Sequence, residues 1–534
     1  MSRTAPPAVV ADGGRPPLAV PLALVVAHFW VRGLGYGSSD QDEMLPQVLH
    51  RLDPALYARD WFIESQAGAV TVRTAFVEGL AAAARVVPLE AAATAGHVLV
   101  LFAVAWGAYR LAYSLVPDRL GAALGAFLAV VGLPGWTLGG NALVYTRLLP
   151  ESLAWALALP AARRFIEGER VVPALLLGAA AWFHLLAAAH AAALLGVVGL
   201  WQAARSRSRA AAGRAVLFGV VAAVVAAPLA LPAVLAAPLA GPTVPGVSGF
   251  HAVARLRVPH HLLPSAFALS HYARFGVLTV AGLGALWALR RSGRLRHDRF
   301  LVRALAVVAG LCGIAVVFTE VMPVLFVAQL QFFKLTVWAT TLFALLLGAW
   351  AAMALPERWR RVGAAMLGSR WTLGGVLSAL LLTGAAVAAG LGPAADRYEP
   401  VQHAATDLGR VEAWARHHTP RDALFLIPPT NTTFRTRARR SVVVNFKPTP
   451  FQPRGIEVWL ARMLAVAPLE VPEAGRGFQE ALDRAYAAHD ATGWQALADR
   501  FAADYALVDL RATASPPLGA PAVRSGDWAV YRLR

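Results

Sequence analysis

The sequence predicts a mainly α-helical, polytopic membrane protein of about eleven spans, with a small α/β extracytoplasmic domain at its C-terminal end. Three observations lead there. Of the 534 residues, 57% are hydrophobic and only 15% charged, with a mean hydropathy of +0.54, a balance foreign to an ordinary soluble domain. Apolar runs such as LAVPLALVVAHFWVRGLGY, AAATAGHVLVLFAVAWGAYRLAY and WTLGGVLSALLLTGAAVAAGLG are each long enough to cross about 30 Å of hydrocarbon. Most arginines sit in short loops between such runs, so orientation in a bilayer accounts for the formal charge of +18 and nucleic acid is not needed to explain it.

Residues 1–17 are rich in Pro and Gly and read as a disordered cytoplasmic tail. The first apolar run lacks a small-residue cleavage site after it and is expected to stay as a span. Candidate spans follow near 18–35, 93–115, 120–138, 142–162, 171–186, 187–202, 214–238, 271–290, 300–319, 324–354 and 373–392. With the N-terminus inside, ARRFIEGER, QAARSRSRAAAGR, RRSGRLRHDRF and PERWRRVGAAMLGSRW all become inner loops. Every one is basic, and losing one span would put half of those arginines outside. The transmembrane part is thus 18–392, with outer loops 36–92 and 239–270, and the expected location is a bacterial cytoplasmic membrane. Cys312 is the single cysteine, which excludes an internal disulfide framework.

Residues 393–534 should lie outside. LGRVEAWARHHTP is a helix ended by Pro420, DALFLIPP and RRSVVVNFK are short strands, GFQEALDRAYAAH and WQALADRFAAD are helices, and YALVDLR and DWAVYRLR are closing strands. Alternation of this kind builds a sheet with helices packed on it.

The candidate chemistry falls on the outer elements. The stretch YGSSDQDEMLP places Asp40, Asp42 and Glu43 directly after the first span. Pro46 is tolerated only near a helix start, so a helix should begin near Asp42 or Glu43. One acid there suffices to complement the helix dipole, with Ser39 and Asp42 as a start signal. Three acids leave a carboxylate to be held over a lipid-linked substrate, and capping and function remain alternatives for Asp40. In HAVARLRVPHHLLP, the residues His251, Arg255, Arg257, His260 and His261 concentrate basic groups in an outer loop, against the usual bias. A phosphate contact would explain them, as would loop packing, and a divalent cation is the third possibility. Gln331 and Lys334 interrupt the tenth apolar run, either beside a polar cavity or with the lysine snorkelling. Arg147 and Glu151, four apart, are placed to pair with each other. His184 and His190 read as buried, hydrogen-bonded side chains.

The pattern resembles the GT-C superfamily of membrane glycosyltransferases and, more narrowly, an uncharacterised family of bacterial multi-pass proteins. The resemblance rests on SSDQDEMLPQVLHRLDPALYARDWF, RVPHHLLP, WARHHTPRDALFLIPP and RRSVVVNFKPTP, and covers nearly the whole chain. It implies a general base in the first outer loop, which by position is Asp40 with Asp42 and then Glu43 next. It also implies a sugar donor on a polyprenyl phosphate, whose phosphate would meet Arg255, Arg257, His260, His261, Gln331 and Lys334. Two rival readings stand beside it: a non-catalytic member that binds lipid-linked sugars or scaffolds an envelope assembly, and a transporter using Glu151, His184, His190, Glu320 and Lys334.

Overall fold

The computed structural model describes residues 17–235, 244–450, 454–473, 475, 477–517 and 519–534. The expected N-terminal tail up to residue 16, the end of the seventh run and the start of the second outer loop lie outside the described residues. The chain is mainly helical, with a small sheet near its C-terminal end.

Each of the eleven apolar runs contains a helix. Among the described residues, seven helices are long and apolar enough to cross a membrane: Leu89–Leu115, Leu185–Ser206, Arg209–Leu235, Leu269–Arg291, Asp298–Val321, Leu325–Ala354 and Arg370–Ala388. Ala19–Arg32, Arg119–Gly132 and Val171–Phe183 are apolar but shorter.

Two runs differ from expectation for a local reason. The fourth begins as irregular chain and turns helical only at Pro150. Proline holds φ ready for a first helical position and keeps the residue before it, Leu149, extended. The tenth is broken into Leu325–Gln329, a short 3-10 turn Phe332–Leu335, and Thr336–Ala354. At the break Gln331 adopts a left-handed φ of 50°, which ends one helix before the next starts.

The Thr336–Ala354 helix runs through the middle, with Trp338, Leu342, Leu345 and Leu346 all buried. It crosses Arg119–Gly132 with backbone against backbone. A Cβ on Gly348 would overlap the Gly125 backbone, so this approach requires glycine. Trp155 meets Trp338 edge to face with ring centroids 5.2 Å apart.

The basic loops gather at one end of this bundle. Arg296 N donates to the Leu115 carbonyl at 2.8 Å, Arg360 lies 3.8 Å from Asp118, and the Phe165 and Phe300 rings are 6.5 Å apart. The acidic first loop and the C-terminal tail sit at the other end.

In the tail, strands β1 (Leu424–Leu426), β2 (Ser441–Val442), β3 (Tyr505–Asp509), β4 (Val523–Ser525) and β5 (Trp528–Arg532) form one sheet in the order β2-β1-β3-β5-β4. β1 is parallel to β2 and β3, whereas β5 is antiparallel to β3 and β4. Side chains alternate between two faces, as the pleat requires. Leu507 and Val530 pack with Val411 and Ala415 of the Asp407–His418 helix. Ala506, Val508 and Ala529 pack on the other side with Trp459, Met463, Leu482 and Trp494 from the Gly455–Val466, Phe478–Ala487 and Ala491–Phe501 helices. Helix Gly455–Val466 and strand β4 were not among the expected elements.

Candidate functional site

The segment after the Ala19–Arg32 helix and the tail meet over a set of buried charges. The chain turns at Gly37 and Ser39, both with positive φ, and enters the Gln41–Leu52 helix. Gln41 secures this entry: its Oε1 accepts from Gly37 N at 2.8 Å and its Nε2 donates to the Leu148 carbonyl at 3.1 Å. Asp40 occupies the cap position but makes no cap bond. Asp40 is thus not held by a capping bond, while Asp42 and Glu43 lie in the first turn, where acids complement the helix dipole.

Each acid has a different environment. Asp42 is fully buried. It accepts from Asn445 Nδ2 at 2.6 Å and from Arg435 Nη1 at 3.3 Å, with Thr436 Oγ1 at 3.4 Å. Burial pushes its carboxyl above the usual range, against the pull of Arg435 and Asn445. Glu43 pairs with Arg73 at 3.1 Å, with 7% and 15% of the two side chains exposed. Asp40 forms an ion pair with Lys447 of the tail, and 37% of its side chain stays exposed. Burial alone would raise the Asp40 carboxyl; the Lys447 charge and hydrogen bond outweigh it and bring it down to about 2.

Arg435 is the clamp behind these acids. Its Nε donates to Asp60 at 2.8 Å, while Nη1 donates to Asn445 Oδ1 at 2.8 Å. Asp60 also accepts from the backbone of Val442, Phe62 and Ile63, so it caps the Trp61–Gln66 helix and anchors β2 together. Tyr57 donates to the Arg435 carbonyl at 2.8 Å. A guanidinium serving two buried carboxylates is compensated by both.

The second wall comes from residues 257–261. Arg257 is buried, donates to Thr449 Oγ1 at 3.2 Å and to the Lys447 carbonyl, and lies 5.2 Å from the Phe446 ring centroid. Burial pulls its guanidinium below the usual arginine range, and the Glu43 and Asp40 charges oppose this. His260 is exposed, yet its low-polarity surroundings and then Lys447 and Arg257 bring it down to about 4. His261 falls to about 3 from burial and then from the neighbouring His260, and its Nδ1 faces the Gly139 carbonyl at 2.5 Å. Both rings are therefore neutral at pH 7 and act as hydrogen-bonding groups, not as the positive charges the sequence suggested. Arg255 and His251 point away from this group, to the Glu473 carbonyl at 3.4 Å and the Pro472 carbonyl at 2.8 Å.

Beneath lies a second polar group. Lys334 Nζ is 3.0 Å from Glu151 Oε2, and His184 Nε2 is 4.0 Å from the same oxygen. Tyr145 donates to it at 3.3 Å and also feels the charge of Asp40. Lys334 does not snorkel but is buried in an ion pair. Arg147, placed by spacing to meet Glu151, pairs instead with Glu399 at 3.3 Å. His190 Nε2 donates to the Leu330 carbonyl at 2.7 Å, and Gln331 is half-buried at the helix break.

Asp40, Glu43, Arg257 and His260 thus share one neighbourhood with Lys447, Arg73 and Tyr145, which sequence reasoning missed. A signal for Lys447 was present: the chain holds only two lysines, Lys334 and Lys447, and each pairs with an acid of this region. Among the described residues, no three His, Cys, Asp or Glu side chains are grouped to hold a metal ion. Chemically, the group offers one half-exposed carboxylate against fixed cations, an arrangement suited to an anion beside a hydroxyl.

A family model described as a Domain of unknown function (DUF6798) matches residues 406–466. That segment supplies Arg435, Asn445 and Lys447, the tail's side of the contact. No curated protein matches the chain.

Proposed function

We propose that the protein is an integral membrane glycosyltransferase that moves a sugar from a polyprenyl-phosphate donor to a hydroxyl on the outer face of a bacterial cytoplasmic membrane. Its seven long apolar helices, together with the shorter ones, span the bilayer about eleven times. The N-terminus and the basic loops lie inside; the tail lies outside. In support, the loops rich in arginine share one end of the bundle and the acidic loop with the tail occupies the other.

The observation that carries this reading is the placement of half-exposed Asp40 against Lys447, beside Arg257 and His260. In the resting site Lys447 neutralises Asp40. A donor phosphate competes for Lys447 and Arg257, and Asp40 is then free to accept a hydrogen bond from the acceptor hydroxyl. As that oxygen attacks the anomeric carbon, its proton passes to Asp40. The bond from carbon to phosphate oxygen breaks, and its electron pair stays on the lipid phosphate next to the cations. Asp42, enclosed and fully engaged, would hold the loop in place while Asp40 reacts.

A second reading has its own support. An acid already paired with a lysine suits a non-catalytic protein that only binds a lipid-linked sugar. Transfer of radiolabelled sugar from a polyprenyl phosphate in proteoliposomes separates the two. Transfer lost in Asp40→Asn, with donor binding retained by native mass spectrometry, supports the enzyme; donor binding with no transfer by the parent protein supports the binder.

A further inference from the structure

At the basic end of the bundle, far along the chain from Asp40, a cavity of about 240 Å³ opens between the loop after Phe165, the end of the Leu185–Ser206 helix and the start of the Asp298–Val316 helix. Its polar lining is Arg170, Gln202, His297, Arg299 and Arg303, with Asp298 as its one acid. That acid is already committed, 3.1 Å from Arg290. Arg299 and Arg303 are four apart on one helix and so project to the same side. Among the described residues, neither of their side chains has an ion pair or hydrogen bond. Arg170 is fixed in place, 3.9 Å from the Phe165 ring centroid and donating through Nη1 to the Phe165 and Glu169 carbonyls at 2.8 and 2.6 Å.

We propose that this cavity binds a phosphate group carried by an anionic lipid. Three guanidinium groups around a hollow of this size match the oxygens of a phosphate through paired hydrogen bonds. With three arginines against one acid in the lining, the cluster carries an excess of positive charge that a bound anion relieves. The setting favours a lipid over a free ion. Phe165 and Phe300 form an apolar lining, and Val171, Leu200, Trp201 and Val302 present exposed apolar side chains nearby in the chain, where acyl tails would lie. The proposal rests on the membrane reading and is independent of sugar transfer.

The test uses the full-length protein in detergent, titrated with dioleoylphosphatidylglycerol, with dioleoylphosphatidylcholine and with inorganic phosphate, and followed by native mass spectrometry. The expected result is one saturable phosphatidylglycerol site, preferred over phosphatidylcholine by roughly tenfold or more, and loss of that preference in Arg299→Ala/Arg303→Ala. Asp40→Asn should bind the lipid like the parent, which keeps this test separate from the transfer reaction. Inorganic phosphate that binds alone as tightly as the lipid would keep the phosphate site but overturn the lipid as its ligand. Equal binding by the double variant, an equal loss in Arg205→Ala/Arg207→Ala, or no preference in the parent overturns the proposal.

Discussion

Arg435 and Asp60 stand 375 positions apart in the chain and are joined by a 2.8 Å hydrogen bond in which neither side chain is more than 1% exposed. The same guanidinium serves Asp42, so one tail residue compensates two acids of the acidic loop. Removing it strands both. Arg435→Met should destabilise the joined loop and tail by about 3–5 kcal/mol, the usual cost of leaving a buried charge without its partner. Thermal unfolding in detergent, and faster proteolysis within the tail, should both report the loss. A parental melting temperature would show that the clamp carries little.

Asp40→Asn keeps the shape of the side chain and removes the proton acceptor. Transfer should fall roughly 10²- to 10⁴-fold while the melting temperature stays close to that of the parent. Asp42→Asn should instead act through stability, because its carboxylate is fully enclosed by Asn445, Arg435 and Thr436.

Which features of this arrangement were legible in sequence follows from what each depends on. Helix positions were readable because burial in lipid or core requires long apolar runs, and the strands Tyr505–Asp509 and Trp528–Arg532 showed as short apolar runs, buried on both faces. The break at Gln331 and the late start at Pro150 follow from local backbone preferences that hydropathy averages over. Asp40, Arg257 and His260 could be proposed because charged groups in an outer loop need a cause. Their pairing could not: the rarity of lysine singles out Lys447, but Lys447 and Asn445 meet the loop only through tertiary docking, which no spacing encodes. Glu151 was assigned to Arg147 by helical spacing, yet Arg147 precedes the helix that starts at Pro150, so the i, i+4 geometry does not apply to it.

Lys447→Met should move the acid limb of kcat/KM upward. In the parent, Lys447 holds the Asp40 carboxyl down to about 2, so Asp40 stays ionised across the accessible range and the limb lies below pH 4. Without that cation only the charges of Arg73 and Arg257 oppose burial, so the Asp40 carboxyl titrates at a higher pH. A limb that does not move when the lysine is replaced would detach Asp40 from the observed titration.

Lys334→Met leaves Glu151 buried beside Tyr145 and His184 and should cost about 3–5 kcal/mol. Adding Glu151→Gln removes the stranded charge, so the double variant should recover part of that loss, with a coupling of roughly 1–3 kcal/mol. Simple additivity in chemical denaturation would argue against the pair.

Stability should decline on the acid side before most carboxylates titrate. His260 and His261 are lowered to about 4 and about 3 in the folded protein, whereas an unfolded histidine titrates near 6.5. Between those values the unfolded chain binds more protons, so stability falls as pH drops from about 6.5 toward 4. Melting temperatures measured across that window should show the slope, and His260→Gln/His261→Gln should make it shallower.

The clamp on Asp42 and Asp60 also sets an order of events during synthesis. Both acids emerge early, but Arg435 is made 375 residues after Asp60, a delay of roughly 20–75 s at ordinary elongation rates of about 5–20 residues per second. Until then the nascent loop carries two carboxylates that need hydration or a temporary escort, and its final fold waits on the last quarter of the message being translated.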